Sequence, residues 1–74
     1  MYIKPNIDEL RCRRVEKNLS QHKLSRMAGL GGNAINNIET GTTLAIHPLR
    51  AKVIAEALQC EVSDIFIDEK EMSA

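Results

Sequence analysis

Leu19 to Gly41 reads LSQHKLSRMAGLGGNAINNIETG, and its apolar spacing decides the fold. Leu24, Met27, Ala28, Leu30, Ile35 and Ile38 form one apolar set around a short turn at Gly29 to Gly31. Ser20 can cap a helix from Gln21 to about Ala28, which Gly29 closes. A second helix runs from about Gly32 to Thr40 and stops at Gly41. Its composition is odd for a helix. Gly31-Gly32 opens it at a high entropic cost, and Asn33, Asn36 and Asn37 all compete with helical hydrogen bonding.

Two short helices that share a core across so tight a turn must cross steeply. That is the helix-turn-helix arrangement, whose second helix can lie in a DNA major groove. An ordinary helical hairpin within a small bundle satisfies the spacing equally well.

Working outward, Met1 to Pro5 reads as a flexible N-terminal arm, residues 6–67 as one helical domain, and Asp68 to Ala74 (DEKEMSA) as a short acidic tail. Asn6 can cap a first helix running to about Asn18, with Asp8 and Glu9 in its favourable first turn. After the loop TTLAI, His47-Pro48 opens a fourth helix that reaches Gln59, with proline at the first helical position. Ser63 can cap a last short helix holding Asp64, Ile65 and Phe66. The expected fold is all-α, a compact five-helix bundle.

Composition limits the function. The 74 residues make one small domain, and with no Trp, one Tyr and one Phe its core must be aliphatic. No signal-peptide pattern or membrane-length apolar run is visible, so the expected location is cytoplasmic. Cys12 and Cys60 read as reduced thiols, and His22 and His47 have no partner at ligand spacing, so neither metal nor cofactor is expected. No Ser/His/Asp set, carboxylate pair or phosphate loop suggests an enzyme. Net charge is zero but unevenly spread. Residues 1–50 hold eight Lys or Arg against four acids, and residues 51–74 hold two against six. A neutral chain can therefore carry a basic face.

The stretch Leu19–Gly41 resembles the Cro and phage-repressor type helix-turn-helix family, the xenobiotic-response-element family. The resemblance rests on Leu19, Ser20, Gln21, Leu24, Gly29, Ile35, Ile38, Glu39 and Gly41 at fixed spacing. It extends upstream through Ile7, Leu10, Arg11 and Arg14, and downstream through Ile54, Ala55, Ala57, Leu58 and VSDIF at Val62 to Phe66. It implies a lambda-repressor-like, five-helix DNA-binding domain. Two positions depart from the family pattern. Ser25 stands where a small alanine is usual, and Gly31 where Ser or Thr usually caps the recognition helix. Gly32 leaves the first recognition-helix position, a usual base contact in the family, without a side chain.

Stepping about 100° per residue, Ile35 and Ile38 face the core, and Asn33, Asn36, Asn37 and Thr40 share the open side. Asparagine pairs bidentately with adenine N6 and N7, so this face is expected to read A·T-containing half-sites. Asn33 and Asn37 should lead, with Asn36 and Thr40 nearer the groove wall and Gly31-Gly32 admitting the duplex closely. The resemblance implies a backbone contact at Gln21, beside an N-terminus that favours anions. Ser20, Lys23, Asn36, Thr42 and Thr43 are the neighbouring phosphate candidates, and Arg11, Arg13, Lys17 and Arg26 add longer-range attraction.

Arg14 lies on the apolar stripe of the first helix and Glu39 borders Ile35, so each needs a partner. The resemblance implies that the two form a buried ion pair. The fourth helix is apolar on two sides. Ala51, Ile54, Ala55 and Leu58 face the core, while Leu49, Val53, Ala57 and Cys60 cover a second face. That face either packs on the last helix or, with Leu44 and Ile46, forms a dimer surface giving paired half-sites.

The function expected from the sequence is a sequence-specific regulator, more specifically a repressor of phage or mobile-element type. It would bind an operator in double-stranded DNA as a homodimer, the operator an inverted repeat with A·T pairs. The alternative is an antitoxin-like interaction module that uses the same fold to hold a protein partner.

Overall fold

A computed structural model describes residues 2–67, and the acidic tail at 68–74 lies outside them. The elements are β1 (Lys4–Pro5), α1 (Ile7–Glu16), α2 (Gln21–Met27), α3 (Ala34–Glu39), α4 (Pro48–Ala57), α5 (Val62–Ile65) and β2 (Phe66–Ile67). Five helices enclose one aliphatic core of Leu10, Leu24, Ile35, Ile38, Ile54, Leu58 and Ile65, with Phe66 at its edge. Met27, placed with the helix-turn-helix apolar set by its spacing, is instead more than half exposed.

Helix starts follow side-chain chemistry. Asn6 Oδ1 accepts from the Glu9 amide, Ser20 Oγ from Lys23 and His47 Nδ1 from Leu49, at 3.3, 3.0 and 3.1 Å. Pro48 then occupies the first position of α4, where a missing donor costs nothing. The last helix begins two residues earlier than a cap at Ser63 suggests. Glu61 is its N-cap, and its amide donates to the Asp64 carboxylate at 2.9 Å.

Helix ends share one device. In α1, α2 and α4 the residue after the C-cap adopts positive φ, and the paired six-to-one and five-to-two backbone bonds of a Schellman motif form. Those residues are Asn18, Gly29 and Gln59. Glycine and asparagine suit the left-handed region, whereas glutamine at φ 57° crowds its Cβ against backbone. Gln59→Gly should therefore raise stability by about 1 kcal/mol, read as a higher urea midpoint with an unchanged slope. Its only described side-chain bond, from exposed Lys17 Nζ, offsets little of that gain.

Within the segment read as an arm, Ile3, Lys4 and Pro5 are paired with the rest of the fold. Ile3 is buried and exchanges two 2.9 Å backbone bonds with Ile46. Lys4 and Pro5 pair antiparallel with Ile67 and Phe66, and the Asn6 amide donates to Ile65. The entering chain thereby adds Ile3 to the core beside Ile46. Ile46 must accordingly leave the expected dimer surface, because Ile3 covers it.

Candidate nucleic-acid interface

The α2–α3 pair is built on a buried carboxylate. Glu39 closes α3 with a fully buried side chain. Arg14 Nε and Nη2 donate to its two oxygens at 2.7 and 3.1 Å, and Arg14 Nη1 donates to the Leu19 carbonyl at 2.7 Å. One arginine so ties α1, the approach to α2 and the end of α3. Two further donors were not foreseen in these roles. Gln21 Nε2 reaches Glu39 Oε1 at 3.0 Å, and Arg11 Nε reaches the same oxygen at 3.2 Å while its Nη2 donates to the Glu39 carbonyl. Burial alone would raise the Glu39 pKa. The hydrogen bonds from Arg14, Gln21 and Arg11 outweigh it and hold the carboxyl below its ordinary value.

One N–H of the Gln21 side-chain amide is therefore held by Glu39, which leaves its second N–H as the donor for the expected phosphate contact. Ser20 and Lys23 are exposed beside it. The Ser20 hydroxyl already caps α2.

The recognition helix starts later than its sequence suggests. Regular α3 begins at Ala34, and Asn33 is its N-cap, without a side-chain capping bond. A turn with Ala34 N–H on the Gly31 carbonyl at 3.0 Å leads into it. The acceptor that this start lacks is supplied from α2. Buried Ser25 donates its hydroxyl to the Gln21 carbonyl at 2.8 Å and accepts the Ile35 N–H at 3.0 Å. Position 25 thus supplies the hydroxyl that position 31 lacks.

Asn33, Asn36 and Thr40 are exposed and Asn37 is half-buried, all opposite the core residues Ile35 and Ile38. Asn37 also borders a small surface recess of about 80 Å³ with Leu30, Thr43 and Arg50. The Thr40 hydroxyl bonds back to the Asn36 carbonyl at 2.9 Å and meets Thr42 Oγ1 at 3.1 Å. Thr42 is exposed and Thr43 half-buried at the end of this face. Gly32 does not present bare backbone to a partner, because the His22 ring lies over it. A Cβ built on Gly32 would stand 2.7 Å from Cε1 and Nδ1 of that ring.

A helix-turn-helix family model, Cro and phage-repressor type, matches residues 10–65, which takes in all of these groups. The chain belongs to that family. As a helix-turn-helix protein it is a DNA-binding transcription regulator. The restriction-modification controller protein C.AhdI from Aeromonas hydrophila has a similar structure, with a TM-score of 0.72 and 28% identity. That match covers 78% of this chain and 86% of the controller. The hypothetical transcription factor NHTF from Neisseria matches with a TM-score of 0.74, covering 90% of this chain and 77% of that one. At 22% identity the second likeness is one of fold. No curated protein matches the sequence. No described helix of this helix-turn-helix protein is long and apolar enough to cross a membrane.

On α4, Val53 and Ala57 are half-buried against the core, so the second face of that helix is largely used internally. Leu44 and Leu49 remain 75% and 69% exposed.

Proposed function

We propose that this regulator binds operator DNA sequence-specifically, with α3 in the major groove, and that its kind is that of the restriction-modification controller it resembles. The observation that carries this reading is the exposed polar face of Asn33, Asn36, Asn37 and Thr40, fixed from behind by Ile35, Ile38 and Glu39. Asn36 and Asn37 inside so short a helix weaken it and gain little from water alone. Each can pair with an adenine edge. Ser20, Lys23, Thr42 and Thr43 border the face and are the phosphate contacts of this reading. A homodimer, formed through exposed Leu44 and Leu49, would place two such faces on an inverted repeat. Repression follows if that repeat overlaps a promoter, since occupancy alone excludes the polymerase.

The test is selection of bound sequences from a random duplex pool at two salt concentrations, repeated with Asn33→Ala and Asn37→Ala. Enrichment of an inverted repeat with A·T-containing half-sites is expected. Each variant should lose about 1–3 kcal/mol of discrimination at one base pair of the half-site. Salt-sensitive binding without any enriched sequence would sink the specific reading. Absence of binding at both salt concentrations would favour a protein-interaction module.

A further inference from the structure

We propose that His22, on α2, is a DNA-contact residue that replaces the side chain missing at Gly32, and that Gly32 is glycine in order to seat its ring. The inference rests on the DNA-binding reading and adds a residue from outside α3. Gly32 is not among the glycines with positive φ, so its backbone would accept any residue. What a side chain there would meet is the imidazole, at 2.7 Å from a built Cβ. Gly31, next to it, has open space around the same point. The two glycines are therefore not equivalent, and only the second has a neighbour in its side-chain space.

The ring is well placed for this role. His22 is exposed, and neither imidazole nitrogen makes a hydrogen bond to another described residue. It lies over the residue before Asn33, where the exposed asparagine face begins. His22, Asn33 and Asn36 thus form one run of polar groups beginning on α2 and continuing along α3. Imidazole carries an N–H donor in either protonation state, so its partner is an acceptor of the duplex, a guanine N7 or O6 edge or the adjacent phosphate oxygen. A ring resting on backbone has fewer rotamers to lose on binding than a free side chain.

The experiment measures binding of wild type, His22→Ala, Gly32→Ala and the double variant to the selected operator and to operators changed one base pair at a time. Thermal midpoints of all four proteins are recorded beside the binding. His22→Ala should bind the operator at least about fivefold more weakly with an unchanged midpoint, because the ring is exposed. Gly32→Ala, which displaces the ring, should show a comparable loss, and the double variant little more than either single one. Relaxed preference at one base pair identifies a base-edge contact, and equal weakening on all sequences a phosphate contact. Both support the proposal. Binding of His22→Ala within twofold of wild type, or additive losses in the double variant, overturns it and leaves the regulator reading standing. Failure of the wild type to bind any duplex overturns both.

Discussion

Glu39→Ala should cost about 3–5 kcal/mol of folding stability, a large share of what so small a domain has. A domain of this size has about 4–11 kcal/mol in total at ordinary per-residue stability. The loss is large because the substitution removes the shared acceptor of three side chains at once. Arg14, whose side chain is 14% exposed, would keep its charge with only the Leu19 carbonyl as partner. Arg11 is half exposed and can turn to water, so it contributes less of the penalty. Glu39→Gln should fare little better, since its amide points donors at a guanidinium. Urea denaturation followed by helicity gives the measurement. A loss below about 1 kcal/mol would mean that the cluster is not the support of the α1–α3 packing. The fraction that stays folded should select the same operator as wild type, because Glu39 faces away from the duplex in the proposed complex.

The same cluster fixes an acid limit. The folded-state pKa of Glu39 is held below the ordinary 4.5. Its stabilisation is therefore complete above that pH and is lost as pH falls from 4.5 through the folded value, where the unfolded chain binds the additional proton. The urea midpoint of wild type should fall over this range. In Glu39→Gln that component of the slope should be missing.

Much of this architecture is legible in the sequence because it is local. Asn6 and Ser20 mark helix starts through bonds that span three residues, Pro48 through the donor it lacks, and Gly29 and Gly41 mark ends through their own φ. The exposed asparagine face follows from helical angle alone. The approach of Arg14 to Glu39 follows from two charges on apolar stripes with family spacing. What the sequence hides depends on reach across the fold. Arg11 spans 28 positions to Glu39 by the length of its side chain, which no periodicity records. Strands of two residues, Lys4–Pro5 and Phe66–Ile67, are too short to show alternation, so Lys4 and Pro5 read as part of a free arm when they are paired. His22 over Gly32 needs the crossing angle of α2 and α3 before it can be seen.

Ser25 is the position where this difference has the greatest consequence, and Ser25→Ala should lower stability by about 1–3 kcal/mol. By size the exchange is mild, and alanine is what the family usually places there. In this chain, however, the hydroxyl is the acceptor for the Ile35 N–H in the first turn of α3. Asn33 offers that turn no side-chain cap, and Gly31 has no hydroxyl to give. Alanine would leave a buried amide without a partner, which costs more than losing a bond that water can replace. The exposed Ser20 cap is the comparison, since water can take its place and Ser20→Ala should cost about 1 kcal/mol. Amide hydrogen exchange separates a local effect from a global one. In Ser25→Ala the Ile35 amide should exchange faster than the global loss of stability accounts for, while Leu24 and Ile54 amides follow that loss alone. Equal acceleration at all three would mean the hydroxyl acts only on overall stability. A frayed first turn would also loosen Asn33 and Gly32, and with them the end of the reading face nearest His22. Operator affinity should therefore fall in Ser25→Ala even under conditions where the protein is fully folded, and it should stay unchanged under those conditions in Gln59→Gly, which acts at the far end of α4.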